Sequence, residues 1–163
     1  DEKTDIGPLN NEQSVNIALK HLDDAKRNGA KILIGGNNPK GFFIEPTVID
    51  EVSPDMLMAS EVTLGPLAPI LTFKTIDEAV EMANCTRFGL QAGAFTSSLK
   101  NAFYLGENIK AGAVNINAGT NSWDEMACFG GCKDSGMGRN LSTWIQDEVT
   151  ETKQILMDIS KVK

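Results

Sequence analysis

Residues 128–139 read Cys-Phe-Gly-Gly-Cys-Lys-Asp-Ser-Gly-Met-Gly-Arg and hold four of the chain's fifteen glycines and two of its three cysteines. Each glycine inside a helix or strand costs roughly 0.5–1 kcal/mol relative to alanine, so a segment this dense in glycine belongs to neither. Such a backbone turns sharply or passes close to another surface. Lys133, Asp134, Ser135 and Arg139 add polar groups to it, and loops on a rigid scaffold are where binding groups tend to sit.

Two nucleotide-binding mechanisms fail on the order of the letters. A phosphate-cradling loop needs paired glycines ahead of Lys and Ser or Thr, and Gly131-Cys-Lys133-Asp-Ser135 has them in another order. The run from Gly136 to Leu141 lacks the third glycine of a dinucleotide fingerprint. Cys128 and Cys132 could be half of a zinc site, but the remaining candidates, Cys85 and His21, lie on or near expected helices, so no metal is expected. The formal net charge of −7, with no basic cluster, argues against a nucleic-acid partner. No apolar run approaches the roughly eighteen residues of a membrane-spanning helix, and the charged N-terminus does not read as a signal peptide. Three cysteines are odd in number and too few for a disulfide scaffold, so a reducing, cytoplasmic setting is expected.

Along the chain, strand and helix patterns alternate. Residues 10–28 carry Val15, Ala18, Leu19, Leu22 and Ala25 on one helical face, capped by Asn10 or Asn11 and ended by Gly29. His21 falls one step off that face and reads as a surface helix histidine, with a catalytic role the less favoured alternative. Strands are expected over 31–34, within 42–52, over 69–74, 91–96 and 113–116, and at the end of the chain over 149–159. Helices are expected from the capping box Thr75-Ile-Asp-Glu78, after Ser97 or Ser98, and over 141–147. Met56 and Met58 read as core filling in a loosely patterned connection. The alternation predicts a doubly wound, mainly parallel α/β sheet flanked by helices. The last strand offers an open edge, which is a template for a partner chain.

The glycine-rich loop resembles the Pro-Phe-Gly-Gly-x-Lys-x-Ser-Gly-x-Gly-Arg-Glu segment of the NAD(P)-dependent aldehyde dehydrogenases. Gly41-Phe-Phe-Ile-Glu-Pro-Thr-Val48, Gly65-Pro-Leu-Ala-Pro-Ile70, Asn84-x-x-x-Phe-Gly-Leu90 and Gly112-x-Val-x-Ile-Asn117 resemble family segments in the same order. The resemblance covers essentially the whole chain and implies the C-terminal part of a catalytic domain over residues 1–148. It also implies that residues 149–163 are an oligomerisation strand and tail, with the 149–159 strand joining a neighbouring subunit of a homo-oligomer.

Oxidation of a small aldehyde through a thioester needs a cysteine nucleophile, an oxyanion donor pair, a base for water and a nicotinamide, NAD or NADP. In the family the nucleophile, the base and the dinucleotide-binding domain lie upstream of the matched region, so the chain is expected to be inactive alone and catalytic residues within it are none. By resemblance Asn117 and Phe129 belong to the substrate channel. Trp123, in the loop 118–127, is either an aromatic wall of that channel or a packed loop tryptophan. Asp124 and Glu125 beside it would repel an anionic aldehyde if they face the channel.

At the cofactor edge the resemblance points to Glu61 and Leu64, with two departures. Anchored on Gly65-Pro66, the ribose-contacting glutamate of the family falls on Val62 and the phenylalanine on Leu64, leaving Glu61 one residue early. Cys128 stands where the family has proline, and Asn140 where it has glutamate. A second reading is therefore a non-catalytic α/β module that binds itself or a homologue through the family's subunit interface.

Overall fold

The computed structural model describes residues 4–122 and 124–161. The chain divides into two compact units, Asp1–Arg87 and Phe88–Lys163. The first contains α1 (Glu12–Arg27), β1 (Lys31–Ile34), β2 (Thr47–Asp50), α2 (Leu57–Ser60), β3 (Leu67–Pro69) and α3 (Ile76–Asn84). Asn11 starts α1 by accepting a hydrogen bond from the Ser14 N–H at 2.8 Å, which satisfies one of the four donors a helix start leaves open. Thr75 does the same for α3 through the Glu78 N–H at 3.2 Å, while the Glu78 carboxylate accepts from the Lys74 N–H at 2.7 Å. The start of α2 takes its acceptor from another helix, since the Leu57 N–H donates to the Asp24 carboxylate at 2.9 Å.

β2 is the centre of a three-stranded sheet, antiparallel to β1 and parallel to β3. Residues 35–46 between β1 and β2 contain no helix, and parallel neighbours need a crossover of a dozen or more residues, so an antiparallel return is the outcome. The core gathers Leu22 and Ala25 of α1 with Ile49, Val52, Met56 and Met58; Val15, Ala18 and Ile44 form a second cluster. Burial of each larger apolar side chain there contributes roughly 1.5–3 kcal/mol. Met56 and Met58 fill the core as their pattern indicates.

His21 departs from the expected surface position. It is buried to 0% exposure on the flank of the α1 stripe, because residues 61–63 supply it with polar partners that spacing along α1 does not reveal.

The second unit contains β4 (Phe88–Gly89), β5 (Gln91–Ala94), α4 (Leu99–Asn108), β6 (Ala113–Ile116), β7 (Cys132–Lys133), α5 (Trp144–Val149) and a 3-10 turn, Ile159–Lys161. Ser98 caps α4 by accepting from the Asn101 N–H at 3.3 Å. β5 and β6 pair in parallel, in register from Gln91 opposite Ala113 to Ala94 opposite Ile116, with α4 as the crossover between them. β4 and β7 pair antiparallel.

The α/β class expected from the sequence is the one the chain forms, with mixed sheets in place of a mainly parallel one. Two further expectations shift. The helix placed at 141–147 begins at Trp144, because Leu141 and Ser142 hold left-handed backbone, φ 63° and 52°, which no right-handed helix tolerates. Of residues 149–159, expected to end the chain as a strand, Val149 ends α5, Ile159 begins the 3-10 turn, and 150–158 pair with no strand among the described residues. No helix of the described residues is long and apolar enough to cross a membrane.

Candidate substrate channel

The glycine-rich loop is closed at its neck by Phe129 and Asn140. The Phe129 N–H donates to the Asn140 carbonyl at 2.8 Å, and the Asn140 N–H returns to the Phe129 carbonyl at 2.6 Å. Within the loop, Lys133 (φ 54°), Gly136 (φ 143°) and Gly138 (φ 76°) reverse the chain. Ser135 accepts from the Gly89 N–H at 2.9 Å, beside the β4–β7 pairing. Arg139 folds back, its guanidinium donating to the carbonyls of Gly131 at 2.9 Å and Gly138 at 2.7 Å. Polar residues that the sequence offers as binding groups thus shape the loop itself. Cys132 is similarly engaged, its thiol within 3.3 Å of the Gly89 and Lys110 carbonyls.

The loop lies against the start of β6. A Cβ on Gly112 would stand 1.6 Å from the Gly130 carbonyl oxygen, so two backbones meet here with no room for a side chain. Directly after β6, Asn117 is held in left-handed backbone with φ 58°. Its N–H donates to the Ala94 carbonyl at 2.6 Å and its side-chain oxygen accepts from the Thr96 N–H at 2.8 Å, so it locks the ends of β5 and β6 together.

Between the neck and the β5–β6 sheet is a cavity of about 160 Å³. Gln91 of β5 and Ala113 and Asn115 of β6 form one side; Ser122, Asp124, Ala127, Cys128, Phe129 and Leu141 form the other. Asp124 is held by its own turn: its Oδ1 accepts from the Met126 N–H at 2.9 Å and its carbonyl from the Ala127 N–H at 3.1 Å. The Asn115 amide donates to the Gly119 carbonyl at 2.9 Å, bracing the same loop. Of the residues expected in a channel, Phe129 lines this cavity, Asn117 does not, and Trp123 lies outside the described residues. Cys128, Gln91 and Asn115 line it although sequence reasoning did not single them out for that role; Cys128 follows from its place beside Phe129, and the alternation of Ala113 and Asn115 along β6 is the signal for the latter.

Glu61 and Leu64 belong to the first unit. Leu64 is 73% exposed and Val62 50% exposed. Glu61 is exposed at the end of α2, with its Oε2 3.5 Å from the buried His21 Nε2, and His21 Nδ1 is hydrogen-bonded to the Thr63 hydroxyl. Among the described residues His21 Nε2 has no hydrogen-bond partner. At the surface of the first unit, the Glu51 hydrogen bond and charge raise the pKa of Lys31, and a hydrogen bond from Ser53 lowers that of Asp55. No group of three or more metal-ligating side chains occurs among the described residues.

The sequence model of the Aldehyde dehydrogenase family matches residues 1–155. A mitochondrial succinate-semialdehyde dehydrogenase of Oryza sativa is 43% identical over 96% of this chain and 30% of its own length. Among solved structures, aldehyde dehydrogenase 21 of Physcomitrella patens, in complex with the reaction product succinate, superposes with a TM-score of 0.90 at 34% identity, covering 100% of this chain and 34% of that one. An NAD-dependent aldehyde dehydrogenase of Sinorhizobium meliloti gives a TM-score of 0.88 at 36% identity over 94% of this chain and 31% of its own. The chain therefore spans about a third of the length of the relatives it matches.

Proposed function

Because the chain belongs to the aldehyde dehydrogenase family, we propose that it is the C-terminal part of an enzyme that oxidises an aldehyde to a carboxylic acid with NAD(P)+ through a cysteine thioester. The observation that carries this reading is the closed glycine-rich loop, with the cavity between its Phe129–Asn140 neck and the β5–β6 sheet. In this reading the chain supplies a channel for the aldehyde: Phe129 is a wall, Asn117 holds the strand ends beneath it, and Trp123 adds a further aromatic surface. The nucleophile comes from the upstream part of the enzyme. Cys132, bound to two carbonyls, is a structural thiol, and Cys128 lines the channel with no histidine or lysine among the described lining residues to activate it.

The cofactor accepts hydride when bound, yet this chain's own residues fit it poorly. At the expected edge contact, Val62 cannot accept ribose hydroxyls, Leu64 offers only an apolar surface, and the Glu61 carboxylate faces His21. Glu61 and Leu64 form only the dinucleotide's outer edge.

Residues 149–159 serve in this reading as the strand that a neighbouring subunit receives, which divides the chain functionally into 1–148 and 149–163. Their exposed Val149, Ile155, Leu156 and Ile159 suit burial in such an assembly. Three free cysteines fit a reducing compartment, which we take to be the cytoplasm.

The test is complementation. The 163-residue chain is co-expressed with the upstream two-thirds of a relative such as the rice enzyme, and aldehyde-dependent NAD(P)H formation is measured. Activity in the pair, and in neither part alone, is expected. Aldehyde oxidation by the pure chain, or a stable but inactive pair, would overturn the reading. The inactive pair would favour the non-catalytic module that binds a homologue, for which exposed Val62 and Leu64 at the cofactor edge are the specific support.

A further inference from the structure

The cavity of the second unit has a charge that its size and position make consequential. Among the described residues of its lining, Asp124, itself exposed, is the one ionised side chain, with no lysine, arginine or histidine, and Phe129 and Leu141 are the larger apolar walls. The carboxylate is not adrift on a loose loop, because the Met126 and Ala127 N–H groups fix the turn that carries it. The Ser142 N–H, donating to the Glu125 carbonyl at 3.3 Å, ties that turn to the segment leaving the loop neck. The Asn115 amide spends one of its two N–H donors on the Gly119 carbonyl. At roughly 30 Å³ of liquid volume per non-hydrogen atom, the space of about 160 Å³ holds a tail of about five such atoms.

We propose that this cavity selects the aldehyde by the charge of its tail, admitting short neutral or cationic tails and excluding carboxylates, with Asp124 as the specificity-determining residue. The inference rests on the channel reading above and deepens it. It also runs against the names of the relatives, since succinate semialdehyde and succinate both carry the carboxylate that Asp124 repels. Like charges about 5–6 Å apart, at an effective dielectric between water and a protein surface, lower the affinity of an anion roughly tenfold relative to a neutral isostere.

The experiment titrates the 15N-labelled full chain with three probes of one length: butyramide, n-butylammonium and butyrate. Amide shifts are read at Gln91, Asn115, Ser122, Asp124, Ala127 and Phe129. Butyramide and butylammonium are expected to shift this set, with butyrate about tenfold weaker. Asp124→Asn, which keeps the Oδ1 acceptor for Met126, is expected to bring butyrate to within about twofold of butyramide. Glu125→Gln, outside the lining, is the control and leaves the ratio as it was. Equal binding of butyrate and butyramide by the unaltered chain, an unchanged ratio in Asp124→Asn, or no shift with any probe overturns the proposal. Failure of the family reading shows separately: a complemented enzyme that is active but prefers succinate semialdehyde sinks only the charge selection, whereas an inactive pair sinks the enzyme and with it the selection of an aldehyde, leaving the order of the three probes as a binding property of the chain alone.

Discussion

His21 and Thr63 are 42 positions apart and meet in the interior of the first unit, with Glu61 at the rim. Thr63 is half-buried, so its hydroxyl on losing its partner keeps part of a desolvation cost of about 1–3 kcal/mol, whereas removing both partners is nearly neutral. His21→Leu is therefore expected to destabilise the first unit by about 2 kcal/mol, and Thr63→Val added to it to recover most of that loss. Urea unfolding followed by circular dichroism measures both. A single variant as stable as the parent, or a double variant no better than the single, would show that the contact carries no stability. The burial of His21 was not legible in the sequence for a plain reason: spacing along α1 fixes which side chains share a face, but what covers the flank of that face comes from residues 61–63. Val15, Ala18, Leu22 and Ala25 needed no such knowledge, being on the stripe itself.

Local elements were legible where their signals are local. Thr75 and Ser98 begin helices because each side chain reaches an N–H three residues on, and that pairing is written in consecutive letters. The glycine-rich loop was legible as a close approach, and the element it approaches is β6, at Gly112. Alanine there would place a methyl carbon 1.6 Å from the Gly130 oxygen, a distance no side-chain rotation relieves. Either the loop neck or the β5–β6 pair must move. Gly112→Ala is expected to cost about 3 kcal/mol and to broaden or shift the amide signals of Phe129, Gly130 and Asn140, while Gly106→Ala, whose added Cβ meets nothing within 4 Å, serves as the open-space comparison. Equal stability of the two variants would mean that the loop does not rest on β6. The expected last strand was the element the sequence misplaced, because residues 150–158 have the composition of a strand but find no strand to pair with among the described residues.

At the scale of the molecule, the buried hydrophobic side chains among the described residues all belong to the first unit. The second unit has none: α4 buries no residue, and Phe95, Leu99, Phe103 and Leu156 are between 63% and 90% exposed. Apolar surface on this scale drives association, while the formal net charge of −7 opposes it by mutual repulsion. The balance has a definite sign with pH. Lowering pH from 7 protonates carboxylates, carries the net charge toward zero at the sequence pI of about 4.7, and removes the repulsion while leaving the apolar faces as they were. Added salt at neutral pH acts in the same direction, since a screening length of about 10 Å at 0.1 M shrinks to about 3 Å at 1 M. Light scattering of the pure chain is therefore expected to rise as pH falls from 7 toward 5, and to rise with sodium chloride at pH 7. Deleting residues 150–163 should reduce the signal under both conditions, because the segment removes Ile155, Leu156, Met157 and Ile159, each more than 70% exposed, from the surface. If scattering is instead unchanged by pH and salt, net charge is not what holds the apolar faces apart; if truncation leaves it unchanged, the association runs through the second unit's other exposed face, where Phe95, Leu99 and Phe103 lie.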